Sequence, residues 1–351
     1  MSDTEIIAAG ELTALAVSAL EQTGMPSADA QTTAHHLVTM DMMGVSTHGV
    51  HRLDQYVNRL KVGAVKVLPE IVVEDKGPNL AVIDGGDGQG QVVGQRALDL
   101  AMEKAKATGL SYVTARRSSH FGGTASYALI AVKAGLVLIS GTGASPALAP
   151  FGGRDMKVGN NPFGFAAPAS LTDPDGGGLP FVLDMAQSVA ARGKMRKLRD
   201  AGEKMPLGWA LDKDGEPTTD PQAGLDGFIQ FMGGYKGYGM ALMVDILCGL
   251  LSGGVYLDDS KDMWNTEDPA PQGTTHFFLA IDPARLLAPA DYNTRMADFR
   301  GRIKSTAPFH EGGEVLLPGE IELTLMAERQ TSGIPVAAQT MEIVRRLAKA
   351  A

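Results

Sequence analysis

The chain has 351 residues, 44% hydrophobic, 20% charged and 6% aromatic, with a formal net charge of −9. This is globular composition, too long for one simple core, with no low-complexity tail. It lacks the dense Lys/Arg face that nucleic acid requires. The N-terminal MSDTEIIAAG has neither the basic nor the apolar region of a signal peptide. The most apolar stretch, 125–150, is broken by Lys133, Gly135, Gly141 and Gly143, which argues against a membrane span. The single cysteine, Cys248, has no disulfide partner and no zinc-site spacing. A cytoplasmic protein with one buried thiol is the expectation.

Residues 4–23 carry apolar side chains at helical spacing, and Pro26-Ser27 opens a second helix with Ser27 as N-cap. That helix runs to about Met43, where Gly44 is a natural stop. A third helix is expected from Thr47 or His48, with Val50, Leu53, Val57 and Leu60 as its apolar stripe. Beyond Pro69 the pattern alternates. Strands are expected at IVVED (71–75), LAVIDG (80–85), SYVTARRS (111–118) and LVLISGTG (136–143), with helices over 92–107 and 121–134 between them. FGFAAPAS (163–170) and PFVLDMA (180–186) read as further strands, and WALDKDGEPTTDP (209–221) as a hairpin or turn. KGYGMALMVDILCGLLSG (236–253) reads as a buried apolar helix. THFFLAIDPARL (275–286) is a strand leading into a helix, 291–305 a polar helix and 337–350 a terminal one. No internal repeat is visible. Two interleaved units are expected: a helical one from 1–70 with 320–351, and an α/β region over 71–319.

Several stretches carry possible chemistry. GDGQGQVVG (86–94) has glycines at 88, 90 and 94, but the third falls one residue late for a Rossmann loop, and no acid follows about 20 residues on. A tight turn into a helix is the favoured reading. DKDGEPTTD (212–220) lacks the distal glutamate of a calcium loop and reads as an Asx-type turn. GVSTHGVHR (44–52) is more demanding. If Thr47 caps a helix, His48 and Arg52 share one face at a helix start, where an anion is favoured. Arg52 could then grip a carboxylate while His48 handles a proton, or both could be surface residues. His120 in RRSSHFGG (116–123) sits in a strand-to-helix loop and is a rival for the proton. Lys236 stands among Gly233, Gly234, Gly237 and Gly239, where it could meet a phosphate, and LLPGE (316–320) is a Pro-Gly turn backed by an acid.

Together these signatures resemble the malate/L-lactate dehydrogenase family of the second type, with its sulfolactate dehydrogenase-like, non-Rossmann α/β fold. Ureidoglycolate dehydrogenase, 2,3-diketo-L-gulonate reductase and Δ1-piperideine-2-carboxylate reductase belong to it. The resemblance spans nearly the whole chain. It rests on Thr47-His48-Gly49 with Arg52, His120-Phe121-Gly122, Gly152-Gly153 with Gly159-Asn160-Asn161-Pro162, Asp184-Met185-Ala186 with Ser188, Ala191 and Gly193-Lys194, Lys236–Gly239 and Pro318–Glu320. It implies an NAD-dependent oxidoreductase acting on a CH–OH group, with NADP left open. It places a nicotinamide dinucleotide against Asp184, Met185, Ala186, Tyr235, Lys236, Pro318, Gly319 and Glu320. It gives Thr47, Arg52 and Asn161 to a small carboxylate substrate, and the proton to His48 or His120. It also implies a homodimer and no metal. One relative uses a lysine in the segment matching 141–147, and this chain has none there; Asn160 stands where many carry Thr. Reduction of a cyclic imine acid and a non-catalytic binding role are the alternatives.

Overall fold

The computed structural model describes residues 4–173 and 177–349. The chain opens on a short strand, β1 (Thr4–Ile7), not on the expected helix. Thr4, Ile6 and Ile7 are β-branched, and they find a partner strand near the other end of the chain, Thr4 opposite Ala337 and Ile7 opposite Ile334. Helix α1 (Ala9–Glu21) follows, then α2 (Ser27–Met42), where Pro26 takes the N-cap position and Ser27 is already helical. Gly44 ends α2 in the left-handed conformation, φ +80°, as its sequence position predicts. Two 3₁₀ turns, Ser46–His48 and Val50–Arg52, separate it from α3 (Leu53–Lys61).

The α/β region begins with β2 (Val72–Gly77) and β3 (Leu80–Asp84), an antiparallel pair. Helix α4 (Gly90–Thr108) crosses over to β4 (Leu110–Ser118), which runs parallel to β3. Next come α5 (Thr124–Lys133), β5 (Val137–Thr142), the pair β6 (Pro146–Leu148) and β7 (Val158–Gly159), then β8 (Phe163–Ala167) and β9 (Phe181–Met185). Helix α6 (Arg192–Asp200) leads into β10 (Ala210–Leu211), β11 (Pro217–Thr218), α7 (Pro221–Asp226) and β12 (Phe228–Ile229). The β10–β11 hairpin is the one expected, and its Asp212 accepts N–H groups from Asp214 and Glu216 in an Asx turn. Helix α8 (Tyr235–Asp245) continues through a π turn over Ile246–Leu250. The chain closes with β13 (Thr274–Ile281), α9 (Pro289–Lys304), α10 (Glu320–Ser332), β14 (Ile334–Ala337) and α11 (Ala338–Lys349). Helices α6, α7 and α10 were not foreseen.

The main sheet has the order β2-β3-β4-β13-β5-β8-β9. Only β3 and β4 are parallel, so it is not the doubly wound parallel sheet of a Rossmann fold. Helices α4 and α5 cover it through Ile83, Leu98, Phe121, Tyr127 and Phe278. A second apolar cluster joins the two ends of the chain, with Leu12, Leu20, Leu37, Leu53, Met341 and Val344 in contact. A third lies under the small sheet around Met195, Met205 and Phe231. Helix α8 is not buried all round as expected. Val244 and Cys248 face inward, whereas Met243, Ile246, Leu250 and Leu251 are exposed.

The glycine row 86–94 serves contact, not phosphate. A Cβ on Gly90 would lie 2.3 Å from the carbonyl oxygens of Ser119 and His120, and one on Gly94 would lie 2.8 Å from the Tyr127 hydroxyl. Gly90 N–H donates to Ser119 Oγ at 2.8 Å. The start of α4 is therefore the bed on which the His120 loop rests.

Candidate active site

The segment 46–52 does not open as an α-helix capped by Thr47. Gly49 is extended (φ −89°, ψ −155°) and breaks the segment into its two turns. The cause lies beneath it. Asp41 of α2, 3% exposed, accepts the Val50 N–H at 2.7 Å, and a Cβ on Gly49 would fall 2.0–2.3 Å from its carboxylate. Burial pushes the Asp41 carboxyl up to about 7, opposed by the Val50 N–H and by Arg329. This corner throws His48 and Arg52 to the same side. The Arg52 Nε donates to Thr47 O at 2.7 Å and Nη1 donates to Gln55 Oε1 at 3.3 Å, and the guanidinium lies over the Trp264 ring, 4.3 Å from its centroid. The Thr47 hydroxyl stands 3.1 Å from His48 Nδ1. Burial, then Arg52, brings His48 down to about 4.

His120 meets this group from the loop after β4. Its ring lies near-parallel to that of His48, with centroids 5.6 Å apart. Its Nδ1 is 2.7 Å from the Tyr56 hydroxyl, and its backbone N–H donates to Gln272 Oε1 at 2.9 Å. Gln272 reaches Ser145 Oγ at 3.4 Å, so within the lysine-free stretch 141–147 it is a serine hydroxyl that joins the network. Burial first, then His48 and Arg52, hold His120 well below the usual imidazole range. Both rings are thus neutral beside a fixed positive charge. His36 and His276 are ordinary core histidines by contrast: each has both ring nitrogens satisfied, His36 by Ser126 and Gln95, His276 by Thr142 and Ser118.

The remaining expected residues fall along the chain 182–189. At one end Val182 N–H donates to Pro318 O at 3.1 Å, and Gly319, φ +88°, would bring a Cβ to 2.7 Å from Val182 O. Midway, Asp184 Oδ2 accepts the Ala125 N–H at 2.8 Å, which ties the end of β9, with Met185 and Ala186 following, to the start of α5 and the His120 loop. At the far end Gln187 O accepts from Met232 N–H at 2.8 Å, just before Gly233, Gly234, Tyr235 and Lys236. Tyr235 is 64% exposed, and Lys236 is exposed with no ion pair among the described residues.

Two of the expected ligand residues also hold the surrounding chain in place. Asn161 is fully buried, with Oδ1 accepting from Ala144 N–H at 3.0 Å and Nδ2 donating to Ala241 O at 2.9 Å. Glu320 is 8% exposed, and its Oε2 accepts from Lys304 Nζ at 2.8 Å and Leu317 N–H at 3.1 Å. It walls a cleft of about 470 Å³ with Leu316, Ile321 and Thr324. Asn160, the variant position, accepts Ser188 N–H at 2.8 Å and so holds the 182–189 segment.

The family description "Malate/L-lactate dehydrogenase" matches residues 7–345. The chain belongs to this family. Malate dehydrogenase from Pyrococcus horikoshii is 38% identical over 341 residues, 95% of this chain and 92% of that protein. The solved structure of sulfolactate dehydrogenase from Methanocaldococcus jannaschii superposes with a TM-score of 0.90 at 34% identity, covering 98% of this chain and 96% of that one. A Δ1-pyrroline-2-carboxylate/Δ1-piperideine-2-carboxylate reductase from Pseudomonas aeruginosa is 35% identical over 79% of this chain and 81% of its own. The malate/L-lactate dehydrogenase family fold is therefore the sulfolactate dehydrogenase-like α/β fold, and the chain is an oxidoreductase. Membership of a dehydrogenase family implies a nicotinamide cofactor, and the residues fit one. Lys236, with no ion pair among the described residues, stands in the first turn of α8, where its charge and the positive helix end suit a phosphate. Among the described residues no group of His, Cys, Asp and Glu is arranged to hold a metal.

Proposed function

We propose that the protein is an NAD-dependent dehydrogenase of a small 2-hydroxy acid, acting on the C2–oxygen bond of a 2-hydroxy/2-oxo carboxylate. The observation that carries this reading is Arg52. It is a part-buried cation with no carboxylate partner among the described residues, held in place by a carbonyl, an amide and an indole, beside two neutral histidines. A desolvated guanidinium without a counter-ion is built to receive an anion. Of its five N–H groups, Nε and one on Nη1 are used, which leaves the Nη edge for a carboxylate fork. The histidines then sit where the neighbouring carbon bears its oxygen. The bound nicotinamide supplies or takes the hydride. Tyr235 and Lys236 at the start of α8, Asp184–Ala186 at the end of β9, and Pro318-Gly319 are assigned to hold it. NAD is preferred over NADP because Lys304, the lysine in the cleft beside Pro318–Glu320, is doubly paired to Glu314 and Glu320 and unavailable to a 2′-phosphate.

The test is a panel of 2-oxo acids with NADH and with NADPH, read by nicotinamide absorbance. Turnover with NADH on malate- or lactate-type acids is expected, and Lys236→Ala is expected to raise the cofactor KM more than the substrate KM. Absence of both turnover and dinucleotide binding would instead favour a binding protein on the same fold. The panel includes cyclic imine acids, because the Pseudomonas aeruginosa relative carries that name; such substrates present the same carboxylate to Arg52.

A further inference from the structure

Behind His120 runs a chain of three buried side chains. Gln89 is 2%, Gln91 0% and Tyr56 4% exposed. Gln89 Nε2 donates to Gln91 Oε1 at 2.6 Å, and Gln91 Nε2 donates to the Tyr56 hydroxyl oxygen at 3.0 Å. That hydroxyl is 2.7 Å from His120 Nδ1. The sense of the last contact follows from counting hydrogens. A phenol has one O–H to give, and an amide nitrogen cannot accept it. The Tyr56 proton therefore goes to His120 Nδ1. Burial pushes the phenol up to about 12, so it keeps that proton at neutral pH. A ring nitrogen that accepts carries no hydrogen, so neutral His120 holds its own on Nε2. No described residue hydrogen-bonds that Nε2.

We propose that Tyr56, oriented by Gln91, is a positioning residue that fixes His120 as the Nε2–H tautomer and refills its ring when His120 protonates the substrate oxygen. This rests on the proposed function for its substrate and goes beyond it in ordering the proton movements. In the reducing direction the His120 Nε2–H bond breaks as the substrate O–H bond forms. The Tyr56 O–H bond breaks as Nδ1–H forms. The ring is neutral before and after, and the starting state returns when a proton from water enters at Nε2 and Nδ1 gives its hydrogen back to the Tyr56 phenolate. Gln91 still donates to that phenolate, and Arg52 favours its charge. A doubly protonated ring is excluded by the same geometry: its Nδ1–H would face the Tyr56 O–H, whose hydrogen would have no acceptor in Gln91 Nε2. His48, whose Nδ1 meets only the Thr47 hydroxyl among the described residues, has no such relay there.

The experiment is ¹⁵N NMR of the full chain labelled at the histidine ring nitrogens, without substrate at neutral pH. The His120 signals are assigned by their loss in His120→Gln. The expected result is His120 protonated at Nε2 and bare at Nδ1, with Tyr56→Phe mixing the two tautomers. Tyr56→Phe is also expected to lower kcat for reduction about 10²–10⁴-fold, the range of general acid–base catalysis, while substrate KM stays near wild type. A wild-type ring protonated at Nδ1 overturns the inference, as does a Tyr56→Phe enzyme with unchanged tautomer and kcat. The wild-type spectrum needs no variant, and Gln91→Met, expected to weaken the tautomer preference, stands in if Tyr56→Phe fails to fold. No turnover of any acid by a protein whose His120 is the Nε2–H form would sink the substrate reading and leave the tautomer assignment standing.

Discussion

Arg52 shows how much one side chain is asked to do. It must hold the Thr47 carbonyl, lie over the Trp264 ring and still present two parallel N–H groups to a ligand. A lysine has the charge but neither the plane nor the fork, so Arg52→Lys cannot do all three. Loss of a charge-assisted hydrogen bond costs roughly 1.5–3 kcal/mol, a fall of about 10- to 150-fold in kcat/KM. The loss should sit mainly in substrate KM, measured by initial rates on the best acid of the panel; a lysine variant with wild-type kcat/KM would remove Arg52 from the substrate site. His48, Arg52 and His120 were legible in the sequence because imidazole and guanidinium beside glycines are conspicuous chemistry. Tyr56, Gln91, Gln272 and Trp264 were not. Phenols and amides have no diagnostic spacing, and these four reach the site from separate parts of the chain. Asn161 and Glu320, polar residues within motif-like stretches, carry backbone-tying bonds that the sequence did not reveal.

At the scale of elements, the alternation over 71–142 was readable because each strand or helix there has its own hydrophobic period. What could not be read was the placement of β13 between β4 and β5, since strand order is set by tertiary pairing. The misreading of 46–52 has a local cause. Helical spacing was present, but the buried Asp41 carboxylate claims the Val50 N–H and breaks the helix at Gly49. β1 was hidden for a similar reason, its partner lying at the far end of the chain. The glycines of α4 make a testable claim about how elements position His120. In Gly90→Ala the new methyl meets two backbone carbonyls, which cannot swing aside like a side-chain tip. Overpacking of this kind costs about 1–3 kcal/mol. Urea denaturation should show that loss, with kcat falling as the His120 loop lifts from α4; unchanged stability and kcat would mean the loop is held by other contacts.

For the molecule as a whole, the exposed face of α8 and its π turn is the feature that a single chain leaves unexplained. Met243, Ile246, Leu250 and Leu251 fall three, four and one residues apart, so they form a continuous stripe and not scattered surface residues. The opposite face of the same helix, Val244 and Cys248, packs on Phe277 of the central sheet. A helix apolar on both sides is what an interface between two copies requires, and a two-fold pairing of identical stripes is the simplest closed arrangement. We propose this stripe as the contact face of the homodimer that the family resemblance implies. Sedimentation equilibrium should give a dimer for the wild type, and Ile246→Glu with Leu250→Glu should give a folded monomer, since both side chains point to solvent in the single chain. Activity should fall with dissociation, because α8 begins at Tyr235-Lys236 and its body receives the Asn161 amide at Ala241. Loosening the helix from one side should disturb Tyr235 and Lys236, the residues proposed to hold the cofactor. A wild-type protein that sediments as a fully active monomer at assay concentration would show instead that the stripe serves some other contact.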